Sequence, residues 1–188
     1  MIYLKYSGTI NRKTDIRKMA DEFSDICRIS GWDFEPVIEN FQSLTSGKSK
    51  RGGEYAFEPD DEELLSLSSS DVHLEGMTIK IEGGIDPARF TFDKNGKLAT
   101  ISFCTTDTIG LNTKLTVKKY EFLYYPYIKA FTSGAENHLK TVKVLDYIKK
   151  KYIHDLEVVD TSFFWDNRDE EDLKVRVWKS ARDRNLAR

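Results

Sequence analysis

Two runs of β-prone residues, Arg89-Phe90-Thr91-Phe92 and Lys97-Leu98-Ala99-Thr100-Ile101-Ser102-Phe103, stand on either side of Asp93-Lys94-Asn95-Gly96. A reversal that short needs backbone with positive φ, which Asn and Gly adopt at low cost. The spacing therefore predicts a β-hairpin in which Asn95 and Gly96 supply the positive φ, and it commits the middle of the chain to antiparallel sheet. Val72 to Glu82 carries Val72, Leu74, Thr78 and Ile79 in a β-like composition, with Gly76 breaking the alternation in the manner of a bulge. Lys114 to Lys129 is a longer β-prone stretch with Tyr120, Phe122 and Tyr124 on one face and Leu115, Val117 and Leu123 on the other. Pro126 bends or ends it. The opening residues through Tyr6 read as a strand, Trp32 to Ile38 as a short edge strand because Pro36 cannot donate to a central ladder, and Leu156 to Asp160 as another short strand.

Three segments have helical period instead. From Thr14 to Ile29 the apolar positions are Ile16, Met19, Ala20, Phe23, Ile26 and Cys27, with Thr14 as N-cap, Asp15 beside the positive helix end and Gly31 placed to take a left-handed C′ conformation. Ser133-Gly134-Ala135-Glu136 has the form of a capping box, and the helix it opens, reaching Tyr152, carries His138, Val142, Leu145, Ile148 and Tyr152 along one side. Lys149 to Lys151 close that helix where the macrodipole favours cations. Beyond the apolar connector Phe163-Phe164-Trp165, Asp169 to about Ala187 forms the third, presenting Leu173, Val177, Trp178 and Ala181. The expected class is α+β: a mostly antiparallel sheet with about three helices on one face or at its ends. The succession from Lys114 to Asp160 also allows one βαβ crossover.

With 39% apolar and 32% charged residues in 188, the chain has enough material for one core, and residues 1–188 are read as a single α+β domain. Ser43 to Gly53 is polar and glycine-rich and is expected to be a mobile loop. A net charge of -2 gives no overall field toward nucleic acid or an anionic membrane. Cys27 and Cys104 are too few for a disulfide framework, the start lacks a signal-peptide core, and no run of about 18 apolar residues occurs. A cytoplasmic location is the expectation.

Most motifs fail on spacing. Gly47-Lys48-Ser49 ends like a phosphate-binding loop, but Gln42 stands where the first glycine belongs. No Cys or His pairing suits zinc, and the acids Asp166, Asp169, Glu170, Glu171 and Asp172 lack EF-hand spacing and suit a helix start. Neither a metal nor a cofactor is expected. No strained Gly-x-Ser-x-Gly turn is present, and Ser133 near His138 is better used as a cap. The stripe Tyr120, Phe122, Tyr124 with Lys118, Lys119 and Lys129 nearby has the composition of a stacking platform, yet Glu121 interrupts it and the RNP1 pattern is missing, so nucleic acid is not the expected partner.

His138 stands out because its position on the Val142 and Leu145 stripe is one that an aliphatic residue would fill. Either its ring packs in the core with one nitrogen bonded to a strand, or it faces a pocket at the helix start with Lys129 and Thr132, where backbone N–H groups favour an anion. The succession Lys129, Thr132-Ser133-Gly134, His138, Val144-Leu145-Asp146-Tyr147-Ile148, Tyr152, Leu156-Glu157-Val158-Val159-Asp160 and Trp165, together with the hairpin, resembles bacterial proteins of unknown function over about residues 76–165. The resemblance implies no activity, but it groups Lys129, Thr132, His138, Asp160 and Trp165 into one candidate ligand-binding neighbourhood. The first functional expectation is a binding or protein-interaction module using a sheet edge and the aromatic surface. The second is a small enzyme or a binder of a small anionic ligand at the start of the 134–152 helix, with His138 as acid/base and Asp160 orienting it.

Overall fold

The computed structural model describes residues 2–41, 65–66, 72–109 and 116–186. In chain order the elements are β1 (Ile2–Ser7), α1 (Asp15–Ser30), β2 (Asp33–Phe41), β3 (Leu65–Ser66), β4 (Val72–Lys80), β5 (Ala88–Phe92), β6 (Thr100–Ile109), β7 (Thr116–Tyr125), β8 (Ile128–Thr132), α2 (Ala135–Lys151), β9 (Glu157–Asp160), α3 (Phe164–Asn167) and α4 (Glu170–Leu186). The strands form three antiparallel sheets of three, ordered β8-β1-β9, β2-β4-β5 and β3-β7-β6. The architecture is α+β, as the sequence pattern predicts, with α3 added as a single turn. No helix among the described residues is long and apolar enough to cross a membrane.

β1 runs antiparallel to both of its neighbours, so β8 and β9 are parallel to each other and α2 crosses between them. The crossover that the sequence allowed is thus a split βαβ unit. One contiguous core joins Leu4, Tyr6, Ile128 and Ala130 of this sheet to Met77, Ile79, Ala88, Phe90 and Phe92 of β4 and β5, to Ile16, Met19, Phe23 and Cys27 of α1, and to Val142, Leu145 and Ile148 of α2. Tyr6 ties the two sheets: its hydroxyl donates to the Arg89 carbonyl at 2.8 Å and accepts from the Arg89 N–H at 3.2 Å.

Helices α1 and α2 meet through a carboxylate. Tyr147 and Lys151 donate to Glu22 Oε1, and Tyr152 donates to Oε2, while the Phe23 and Tyr147 rings pack edge to face at 5.7 Å. Burial alone would raise the pKa of Glu22, but the bonds from Lys151, Tyr147 and Tyr152 outweigh it and hold the carboxyl at about 2.

Several local expectations are corrected. Thr14 has helical φ/ψ and makes no side-chain cap; Asp15 instead pairs with Arg12. Gly31 closes α1 in the left-handed region as expected, its N–H bonded to the Cys27 carbonyl. Gly76 is no bulge, because the ladder runs unbroken through Val37 opposite Gly76 and Gly76 opposite Thr91. Its glycine is required for a different reason: a Cβ there would lie 1.9 Å from the Phe90 carbonyl oxygen. The 93–96 turn forms with Gly96 alone at positive φ, and Asp93 Oδ1 accepts the N–H groups of Asn95 and Lys97, so Asn95 has no need of the left-handed region. The returning strand makes one bridge, Phe92 to Leu98, before β6 leaves to pair with β7.

Ser133 does not cap α2. Gly134 is the N-cap, and the Ser133 hydroxyl donates to the Gly83 carbonyl of the loop between β4 and β5. At α4 it is Asp169 that caps, its Oδ1 accepting from Glu171 and Asp172 at 3.0 Å, which gives the acidic cluster its structural use. Leu173 of the α4 stripe is buried, but Trp178 is 59% exposed. The loop expected over Ser43 to Gly53 and the Gly47-Lys48-Ser49 sequence lie outside the described residues, and of the stripe Tyr120, Phe122, Tyr124 only Tyr124 has a described side chain. Its hydroxyl donates to Asp93 Oδ2 at 2.8 Å.

Gly76→Ala is expected to destabilise by about 3 kcal/mol, the upper end for overpacking, since the clash is with backbone. Gly134→Ser, where a Cβ meets nothing within 4 Å, changes stability by only a few tenths of a kcal/mol. Denaturant midpoints of the two variants check the contrast. Glu22 supplies stability that is complete above its ordinary pKa of 4.5 and is lost as the pH falls toward about 2. In Glu22→Gln the slope of unfolding free energy against pH flattens in that window, by on the order of 2 kcal/mol in total.

Candidate functional site

The inward positions of β8 are Ile128, Ala130 and Thr132, and the last of these meets the first turns of α2. On α2 the inward stripe begins at His138, whose side chain is 0% exposed. Thr132 Oγ1 lies 3.0 Å from His138 Nδ1, and Asp160 Oδ2, at the end of β9, lies 2.9 Å from Nε2. Because the carboxylate only accepts, Nε2 carries the proton and the Thr132 hydroxyl donates to Nδ1. The first alternative for the ring, packing in the core with a nitrogen bonded to a strand, describes what is seen, with both nitrogens bonded.

Asp160 is saturated. Its Oδ2 accepts from His138 Nε2 and from the Trp165 N–H at 2.9 Å, and its Oδ1 accepts from the Ser162 N–H and the Ser162 hydroxyl, each at 2.7 Å. Burial by itself would raise the pKa of this carboxyl; the interaction with His138, and then the bonds from Ser162, outweigh it and hold the group below its ordinary value. The same contacts fold the Asp160-Thr161-Ser162 turn and start α3, since Ser162 Oγ also accepts the Phe164 N–H at 3.3 Å.

Ser162 Oγ stands 3.1 Å from His138 Nε2, so serine, histidine and aspartate do meet, but not as a nucleophile, base and orienting group. Both Ser162 and Asp160 sit at the same ring nitrogen, and the hydroxyl proton is given to the carboxylate rather than to an imidazole lone pair. A hydrolytic arrangement needs the hydroxyl and carboxylate on opposite nitrogens, with the hydroxyl open to substrate. Thr132 has the opposite-nitrogen geometry, yet it is buried with the rest. The network has no exposed atom to offer a substrate. It joins β8, α2, β9 and α3.

Of the five residues expected to share a site, Thr132, His138 and Asp160 converge, and Trp165 joins through its backbone N–H. Its ring lies under the Arg168 guanidinium at 4.7 Å. Lys129 does not join them. It is an odd-numbered residue on a strand whose even-numbered side chains face α2, so it points to the opposite side of the sheet. The helix start is itself covered by the loop between β4 and β5: the Gly83 carbonyl takes the Ser133 hydroxyl, and Lys140 is shared between Glu82 and Glu136. Two carboxylates at that end oppose a further anion. Among the described residues no group of His, Cys, Asp and Glu is placed to hold a metal ion.

Lys129 belongs to a second, outward surface that the sequence reading did not assemble. Tyr3, Lys5 and Ser7 of β1, Lys129 and Phe131 of β8, and Glu157 and Val159 of β9 alternate onto the face away from α2, joined by Tyr127 just before β8. Tyr3 and Phe131 meet edge to face at 5.6 Å, Lys129 Nζ lies 4.0 Å over the Tyr3 ring, and Lys5 Nζ lies 4.1 Å over the Tyr127 ring. Val159 is 60% exposed at the centre of its edge. At the corner, Thr161 and Tyr3 exchange bonds through the Thr161 hydroxyl and backbone, and two residues on comes Phe163. Phe163 has φ 64°, in the left-handed region, and is 54% exposed. Period-two alternation in Tyr3-Leu4-Lys5-Tyr6 was the signal available for this face, and the Asp-x-Ser spacing was the signal for the turn. No family model, curated protein or solved structure matches the chain.

Asp160→Asn is expected to cost about 3 kcal/mol, because the amide nitrogen faces buried donors that the second carboxylate oxygen satisfies. The Asp160 contribution is present above the ordinary carboxyl pKa and fades as the pH falls through the lowered folded value, so the loss in Asp160→Asn is largest at neutral pH and shrinks in acid. Urea unfolding at several pH values measures it.

Proposed function

We propose that this chain is a binding module that holds another protein against the outer face of the β8-β1-β9 sheet, with Phe163 as an exposed aromatic anchor. The observation that carries the reading is the backbone of Phe163. A bulky residue in the left-handed region costs about 1–2 kcal/mol relative to a right-handed one, and glycine escapes most of that cost. Here the strained residue is an aromatic ring more than half in solvent, a placement that core packing does not call for. A saturated buried carboxylate two elements deep fixes the turn that presents it. Arg168 at the other end of α3 shares the left-handed conformation, but Phe163 adds an exposed aromatic ring to it, the pattern of a residue kept for contact with something else.

The outer face of the β8-β1-β9 sheet, whose Tyr3 is bonded to Thr161 two residues before Phe163, supports the same reading. Tyr3, Tyr127 and Phe131 are half-buried aromatic side chains with few rotamers to freeze, two of them lying under lysine ammonium groups, and Val159 is exposed at the sheet edge. The alternative of an enzyme or small-anion site at the start of α2 has no exposed reacting atom in this geometry to support it.

In Phe163→Gly, relief of the left-handed strain offsets the lost half-buried ring, so unfolding free energy stays within about 1 kcal/mol of the parent chain or rises. A photo-crosslinking residue at Val159 yields a defined protein adduct in cells, and Phe163→Gly reduces that adduct at least about tenfold. If Phe163→Gly unfolds the protein as a core truncation does, or if the adduct from position 159 persists undiminished, the anchor role is lost.

A further inference from the structure

We infer that the segment recognised on this face is acidic: an extended, carboxylate-bearing stretch of a partner protein lying across β8, β1 and β9, with a carboxylate on Lys129. The inference rests on the protein-binding reading and names the chemistry of its partner. In the register of the sheet, Lys129 faces Lys5, and Lys5 faces Val159, so Lys129 and the exposed Val159 side chain flank β1 in one row across the three strands. Lys129 Nζ rests 4.0 Å from the Tyr3 ring centroid and 5.1 Å from that of Phe131. Among the described residues it makes no ion pair. An ammonium group lying on two rings has water removed from one side and its direction fixed, so the entropy of ordering a free lysine is already spent before a carboxylate arrives.

The same arrangement disfavours a single-stranded nucleic acid. Base stacking needs bare ring faces, and here Lys129 covers Tyr3 while Lys5 covers Tyr127. A backbone with a charge at every nucleotide would also pass exposed Glu157 at the end of β9, whereas a peptide can space its carboxylates to meet Lys129 and avoid Glu157. The apolar end of the row, at Val159, suits a hydrophobic side chain beside the acidic one.

Fluorescence anisotropy with three labelled probes tests this: deca-glutamate, deca-lysine and a ten-nucleotide thymidine oligomer, each titrated with the full chain. Deca-glutamate is expected to bind saturably, to weaken about tenfold in Lys129→Glu, and to weaken further with added salt. Lys143→Glu, the same charge change at an exposed position on α2, should leave binding unchanged. Absence of deca-glutamate binding, equal binding to Lys129→Glu, or tighter binding of the thymidine oligomer each overturns the acidic partner. Those failures with the Val159 adduct intact leave the protein-binding reading standing; loss of the adduct as well removes both.

Discussion

A single buried carboxylate organises the C-terminal half of the described structure. Asp160 ends β9 with its side chain turned inward, where an unpaired charge would cost several kcal/mol. Four donors remove that cost: the His138 ring, the Trp165 N–H, and the N–H and hydroxyl of Ser162. They come from three features of the fold, so satisfying one residue fixes the position of α2 against the sheet, the shape of the turn and the start of α3. His138 passes the constraint on to β8 through Thr132. The polar cluster that most resembles a catalytic centre is therefore the fastening between strands and helices, and its chemistry is used up internally.

What lies outside that fastening is correspondingly free to vary. The strained backbone of Phe163 persists because Asp160 and Ser162 determine the turn around it, and Arg176 of α4 lies 4.9 Å from the ring. A second carboxylate, Glu22, performs the parallel task between α1 and α2 with two tyrosines and a lysine. Glu22 takes its donors from at least 125 positions away, whereas Asp160 combines His138, 22 positions away, with donors two and five residues on. On the outer face of the β8-β1-β9 sheet, Lys129 lies over the Tyr3 ring and Lys5 over the Tyr127 ring.

Local patterns were legible in the sequence to the extent that local physics set them. The stripe of α1 and the left-handed Gly31 depend on neighbours a few residues away and appear as expected, while the 93–96 reversal forms with Gly96 at positive φ but without Asn95 there and with a single bridge in place of a paired hairpin. Ser133 was misplaced because a partner 50 positions distant, the Gly83 carbonyl, takes its hydroxyl, and no spacing rule reveals that. Gly76 was misread because alternation cannot distinguish a bulge from a close backbone approach. The candidate neighbourhood was correct in bringing Thr132, His138 and Asp160 near one another, since strand, helix and strand follow in order. Separating Lys129 from them needed only the parity of a strand, as the step of three positions from 129 to 132 places the two side chains on opposite faces. Ser162 was overlooked although it lies two residues from Asp160.

The position of β1 has a kinetic consequence. This strand, the earliest of the described elements to be synthesised, sits between two strands that come more than a hundred residues later; the Tyr3 N–H bonds to a hydroxyl 158 positions away. Its pairing groups stay unsatisfied until most of the chain has left the ribosome, and closing so large a loop carries an entropic cost before any reward. Assembly of the sheet is thus necessarily a late event, and during the wait Ile2, Leu4 and Tyr6 form a sticky edge that a chaperone or another nascent chain can reach.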